Sequence, residues 1–143
     1  MFVGCIQVSL RFGMFCARLQ VRQRAAFLHE HPGSATSWGH RRVHDLCEQT
    51  GAQIVSFDQC RFGLVFPGEK YLKKNTKIIT NSSFVVNEFK YHHCARDHRH
   101  GRIEGTKLGR QVSKYAAHYP RELVNAIARA VIAHVDAEAQ SQA

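Results

Sequence analysis

Apolar and polar positions change period several times along the chain, and each change marks an element. Over residues 13–24, Phe15, Leu19 and then Gln23 recur at four-residue spacing, which predicts a helix. Phe27 and Leu28 follow as a short apolar run that stops at Glu30-His31-Pro32-Gly33, the pattern of a buried strand over 26–29. Beyond a loop from 32 to 39, Val43, Leu46 and Cys47 form a helical stripe that Gly51 ends. Residues 53–57 carry the β-branched pair Ile54-Val55 and predict a second strand. The run 62–66, the turn at Pro67-Gly68 and the run 77–80 predict a hairpin. Ser82-Ser83 offers a cap for a short helix through Val85, Val86 and Phe89, while residues 92–105 show no period at all. Pro120 then opens the strongest helical pattern, with Leu123, Val124, Ile127, Ala128, Val131, Ile132 and Val135 spaced by three and four. Helix and strand in alternation predict an α/β layer structure, one domain over residues 1–137 with a frayed, disordered tail over 138–143.

Composition narrows the class. With 143 residues, 44% of them hydrophobic, the chain has the size of one domain with a modest core. Lys and Arg number 20 against 11 Asp and Glu, a net charge of +9 that favours a polyanionic partner, most simply nucleic acid. No apolar run approaches the roughly 20 residues that span a bilayer, so no membrane partner is expected. Cysteines stand at 5, 16, 47, 60 and 94, an odd count without tandem pairing, which points to a reducing, intracellular compartment rather than a disulfide scaffold. The acid-free, Arg-containing start would also suit a mitochondrial presequence. Phe15, Leu19 and the basic residues after them read equally well as a helix leading into the first strand.

Candidate chemistry concentrates at two places. Glu30 lies at the predicted end of a strand, where open α/β sheets bind ligands, although an acid there also caps helices or is simply solvated. Around residue 96, Cys94, His98 and His100, with His92 or His93 as a fourth ligand, offer one thiolate and three imidazoles within nine residues, a donor set that suits tetrahedral zinc in a structural role. The alternative is a solvated basic loop, since the Cys-x-x-Cys half of secure zinc motifs is missing. Cys60, near the end of a strand, could be a remote ligand, but reads better as a small buried apolar residue. His29-Glu30-His31 is not a metalloprotease motif, because the second His of that motif falls four positions after the first and position 33 is Gly. Asp58 reads chiefly as a turn cap and Trp38 as a core or pocket wall.

Taken in order, Phe27-Leu28-His29-Glu30-His31-Pro32, Trp38, the segment from Val55 through Asp58-Gln59-Cys60 to Phe62-Gly63, and the segment from Lys74 to Asn81 resemble the second half of a DNA (cytosine-5) methyltransferase-like domain. More specifically, the chain is similar to divergent domains of that kind in retroelement-type polyproteins, and the resemblance covers roughly residues 15 to 135. The resemblance implies a partial Rossmann-like sheet with flanking helices, a hairpin and the irregular His/Cys-rich loop. It also implies Glu30 as the acid that holds a flipped cytosine, with Arg61, Lys73, Lys74, Thr76 and Lys77 in contact with nucleic acid. No Pro-Cys nucleophile loop and no Gly-rich donor loop precede Glu30. The chain is therefore expected to be the carboxyl half of a longer frame, or a decayed fragment, inactive alone. S-adenosylmethionine would bind only if a missing amino-terminal half were supplied. The other reading is a non-enzymatic, zinc-stapled nucleic-acid-binding module.

Overall fold

In the computed structural model, residues 3–68 and 70–142 are described, with side chains from residue 8 onward. Helix α1 (Val3–Arg22) leads into strand β1 (Leu28–Pro32); after a 3-10 turn, helix α2 (Arg41–Thr50) leads into strand β2 (Gln53–Asp58). A second 3-10 turn over Gln59–Phe62 and a short strand β3 (Tyr71–Leu72) precede strand β4 (Asn75–Thr80) and helix α3 (Ser83–Phe89). The irregular part holds only two-residue strands β5 (His100–Gly101), β6 (Thr106–Lys107) and β7 (Arg110–Gln111) and the one-turn helix α4 (Val112–Tyr115). Helix α5 (Arg121–Ser141) closes the chain.

Strand β4 lies between β1 and β2 and is antiparallel to both. Its side chains explain that central place: Ile79 enters the core on one face and Ile78 the core on the other, so both faces need cover. On the first face α1, α2 and the 3-10 turn bury Leu10, Met14, Ala17, Trp38, Val43 and Leu46. The opposite face carries α3 and α5, with Phe57, Phe62, Val85, Phe89, Leu123 and Ala126 packed together. A third cluster of Leu64, Phe66, Leu72, Val112 and Ala116 lies beneath the irregular segment. Local signals hold where hydrogen bonds complete them. Gly51 takes the left-handed conformation at φ 69° and donates to the Cys47 carbonyl, and the Ser82 hydroxyl accepts from the Val85 amide.

Several expectations are corrected. The architecture is mixed α/β, but the three-stranded sheet has no parallel neighbours, unlike the Rossmann-like sheet that the resemblance implies. No hairpin joins 62–66 to 77–80. Leu64 and Phe66 fill the third cluster instead, and β4 is drawn between β1 and β2 by its two-faced apolar pair. Helix α1 keeps its predicted period on the other side, for Leu10, Met14 and Ala17 are buried whereas Phe15 is 56% exposed. Helix α5 runs on to Ser141, past the point where a frayed tail was expected. Among the described residues no helix is long and apolar enough to cross a membrane.

Candidate metal centre

Strand β2 delivers the site. Its last residue, Asp58, is buried, and the turn that follows buries Cys60 and closes at Gly63, whose φ of 80° a side chain would resist. The loop after α3 is fastened to this strand end by two bonds that Asp58 makes. The Asp58 amide donates to the His92 carbonyl at 3.0 Å, and the Cys94 amide donates to its carboxylate at 2.9 Å. The side-chain amide of Asn75 donates to the same carboxylate at 3.2 Å, and Lys73 stands 4.0 Å from it. A buried acid with this many donors is fully engaged and acts as the anchor of the loop.

That anchoring brings Cys60, Cys94, His98 and His100 together, with one donor atom from each inside a 4.8 Å cluster. The Cys94 sulfur lies 3.6 Å from His98 Nε2 and 3.4 Å from His100 Nε2. A tetrahedral zinc with bonds of about 2.3 Å to sulfur and about 2.0 Å to nitrogen holds its ligand atoms roughly 3.3 to 3.8 Å apart, a range that contains both distances from Cys94. Surrounding contacts orient the ligands. His98 Nδ1 donates to Asp97 at 2.7 Å, Arg61 pairs with the same carboxylate at 3.1 Å, and the Arg96 amide donates to the Cys94 sulfur at 3.3 Å. The parallel pairing of β3 with β5 fixes His100, and the Tyr71 ring lies 4.3 Å from that of His98.

Protonation follows from this burial. Burial and the neighbouring Cys94 push the Cys60 thiol up to about 12, so the free site holds a neutral thiol and a bound cation is what would release its proton. Burial, with His98 and Lys73 beside it, holds His100 below the ordinary histidine value, which keeps its imidazole neutral and ready to ligate. Although burial alone opposes it, the bond from His98 and the Arg61 charge leave Asp97 below its ordinary value.

His92 does not join the predicted set. Its ring stacks on Phe62 at a centroid distance of 4.7 Å, and the fourth donor is Cys60, the residue read from sequence as apolar filler. Nor do the expected nucleic-acid contacts form one surface. Thr76 is fully buried, with its hydroxyl accepting from Gln59 at 3.0 Å, so it presents nothing to a partner. Arg61 is held by Asp97, Lys74 donates to the Ala116 carbonyl at 3.0 Å, and Lys77 lies over the Trp38 ring on the opposite side of the sheet. Two of the five border the metal cluster, Lys73 through Asp58 and Arg61 through Asp97. Glu30 sits in the middle of β1, not at its end, and its carboxylate accepts from the Tyr119 hydroxyl. Asp58 organises the loop, a role that neither sequence reading of it, as a turn cap or as a second catalytic acid, contains.

Comparison with protein-family models, curated proteins and solved structures finds no match to this chain.

Proposed function

We propose that the chain is a non-enzymatic, zinc-stapled nucleic-acid-binding module. The observation that carries this reading is the cluster of Cys60, Cys94, His98 and His100, four donor atoms from two segments that all lie within 4.8 Å of one another. Four protein ligands fill a tetrahedral shell and leave no position for a reacting water, which is the character of a structural site. The staple then holds the basic carboxyl-terminal third against the sheet. The surplus of +9 supplies the attraction to phosphates.

Metal analysis of the purified chain tests the staple. About one zinc per chain is expected, Cys60→Ser or Cys94→Ser should lose it, and His92→Ala should retain it. Zinc below about 0.1 per chain after refolding with the metal, or retention by both Cys variants, would overturn the reading. A methyltransferase-like ancestry, with S-adenosylmethionine supplied through another half, has less support. Glu30 is engaged by Tyr119, and its strand belongs to an antiparallel sheet.

A further inference from the structure

The carboxyl-terminal third carries a feature that the zinc cluster does not use. Strands β6 and β7 form a hairpin whose two-residue turn is Leu108-Gly109, both with positive φ, at 49° and 69°. Such a turn favours Asn-Gly, and a leucine in the left-handed region costs about 1 kcal/mol or more. Leu108 is also 75% exposed, so packing among the described residues does little to offset that strain. A strained, solvent-facing apolar tip is an outlier that asks for a partner.

Immediately behind the tip lies an open cavity of about 580 Å³ lined by Thr106, Arg110, Gln111, Lys114, Tyr115 and His118 among others. Among the described residues, its lining includes two permanent cations and no acid. Both Arg110 and Lys114 are exposed, and neither has a charge partner among the described residues. Thr106 and Gln111 add neutral hydrogen-bonding groups. Tyr115 is held edge-on against the buried Phe66 ring, 5.1 Å between centroids, which leaves it a rigid wall. A second cavity of about 390 Å³ shares Tyr115 and His118 with the first and continues to Arg121, with a single acid, Glu122, at that end.

We propose that this track binds a single-stranded nucleic acid, with Arg110 and Lys114 on successive phosphates, Tyr115 under a base and Leu108 wedged against the sugar and base beyond. The inference rests on the nucleic-acid reading above and gives it a place. A positively charged groove with an aromatic platform is how sequence-tolerant single-strand sites work, and apolar tips at hairpins or loops part neighbouring bases. The geometry assigns binding to the hairpin and α4, away from the lysines around β4.

Fluorescence anisotropy with a labelled 12-nucleotide single strand, DNA and RNA in parallel, tests the assignment on the zinc-loaded chain. Arg110→Ala with Lys114→Ala should weaken binding at least tenfold and flatten the salt dependence by about 1.4 in log–log slope, two phosphates at roughly 0.7 each. Arg41→Ala with Arg42→Ala removes the same charge from α2 and should change affinity less than threefold. Leu108→Gly separates site from stability. It should weaken binding at least threefold while leaving the melting temperature the same or higher, because glycine relieves the positive φ. If the wild type binds and both cradle variants bind as well as it does, the track is wrong and the module reading stands. No binding by the wild type at 50 mM salt would overturn both. Competition by inorganic phosphate or by phosphatidylserine vesicles, at phosphate concentrations where the oligonucleotide binds, would reassign the cradle to a free anion or a lipid headgroup and so overturn this proposal.

Discussion

Asp97 and His98 form the carboxylate–imidazole pair that sets which nitrogen of His98 would face a bound metal. With Nδ1 bonded to Asp97 at 2.7 Å, Nε2 is the nitrogen aimed at the Cys94 side of the cluster. Asp97→Asn keeps an acceptor but removes the charge, and zinc affinity should fall by about 10- to 100-fold in a competition titration with a chelating dye. An unchanged affinity would mean that His98 is oriented by its contact with Tyr71 alone. Another histidine carries a pH dependence. Burial, with His31 adding to it and Glu30 opposing, holds His29 below its ordinary 6.5, so the folded form binds fewer protons than the unfolded chain in the range just below that value. Its contribution to stability is intact above pH 6.5 and is lost as pH falls toward the lowered folded value. Urea unfolding from pH 7.5 to 5 should show a steeper decline for the wild type than for His29→Gln; parallel curves would contradict the assignment.

At the scale of elements, what could be read from the chain depends on whether a signal is local. The Gly51 stop and the Ser82 cap are satisfied by bonds that span four and three residues, and both were visible in the sequence. Ser82 also touches His134 of α5 at 3.2 Å, so its hydroxyl joins a cap to an interhelical contact. Ser82→Ala should therefore cost about 1 to 2 kcal/mol by chemical denaturation, at the upper part of the range for a cap. A cost under about 0.3 kcal/mol would show that water replaces the hydroxyl without loss. Helix α1 marks the limit of local reading. Leu10, Met14 and Ala17 recur with the same spacing as Phe12, Phe15 and Leu19, and only the position of the sheet decides which stripe is covered. The same holds for β4, since Ile78 and Ile79 announce a strand buried on both sides without naming its neighbours. At the metal centre three ligands fall within seven residues and were visible, but Cys60 lies 34 positions before Cys94. It arrives through the two bonds at Asp58, so the sequence offers it as a remote ligand but no spacing rule prefers that role to a buried apolar one.

For the molecule as a whole, the three clusters are not equally secured. Those on either face of the sheet are bounded by long helices and by β4, which pairs along six residues with β2. The third has five fully buried members and is covered by a segment whose regular structure is limited to two-residue strands and one helical turn. Few backbone ties hold that cover, among them the Leu72 amide to the Leu64 carbonyl and the Val112 amide to the Gly105 carbonyl. A metal bound at Cys60, Cys94, His98 and His100 joins the cover to the end of β2 and stabilises it by mass action, about 4 kcal/mol when zinc stands a thousandfold above its Kd. For a domain of this size that corresponds to a melting temperature lowered by roughly 10 to 20 °C on chelation. The loss should be uneven, because the sheet does not depend on the ion for any of its pairings. Hydrogen exchange with and without a chelator should show amides of residues 92–118 losing protection while those of β4 keep theirs well below the melting point. Equal loss in both regions would make the ion part of one cooperative unit, and loss in neither would remove the staple from the fold.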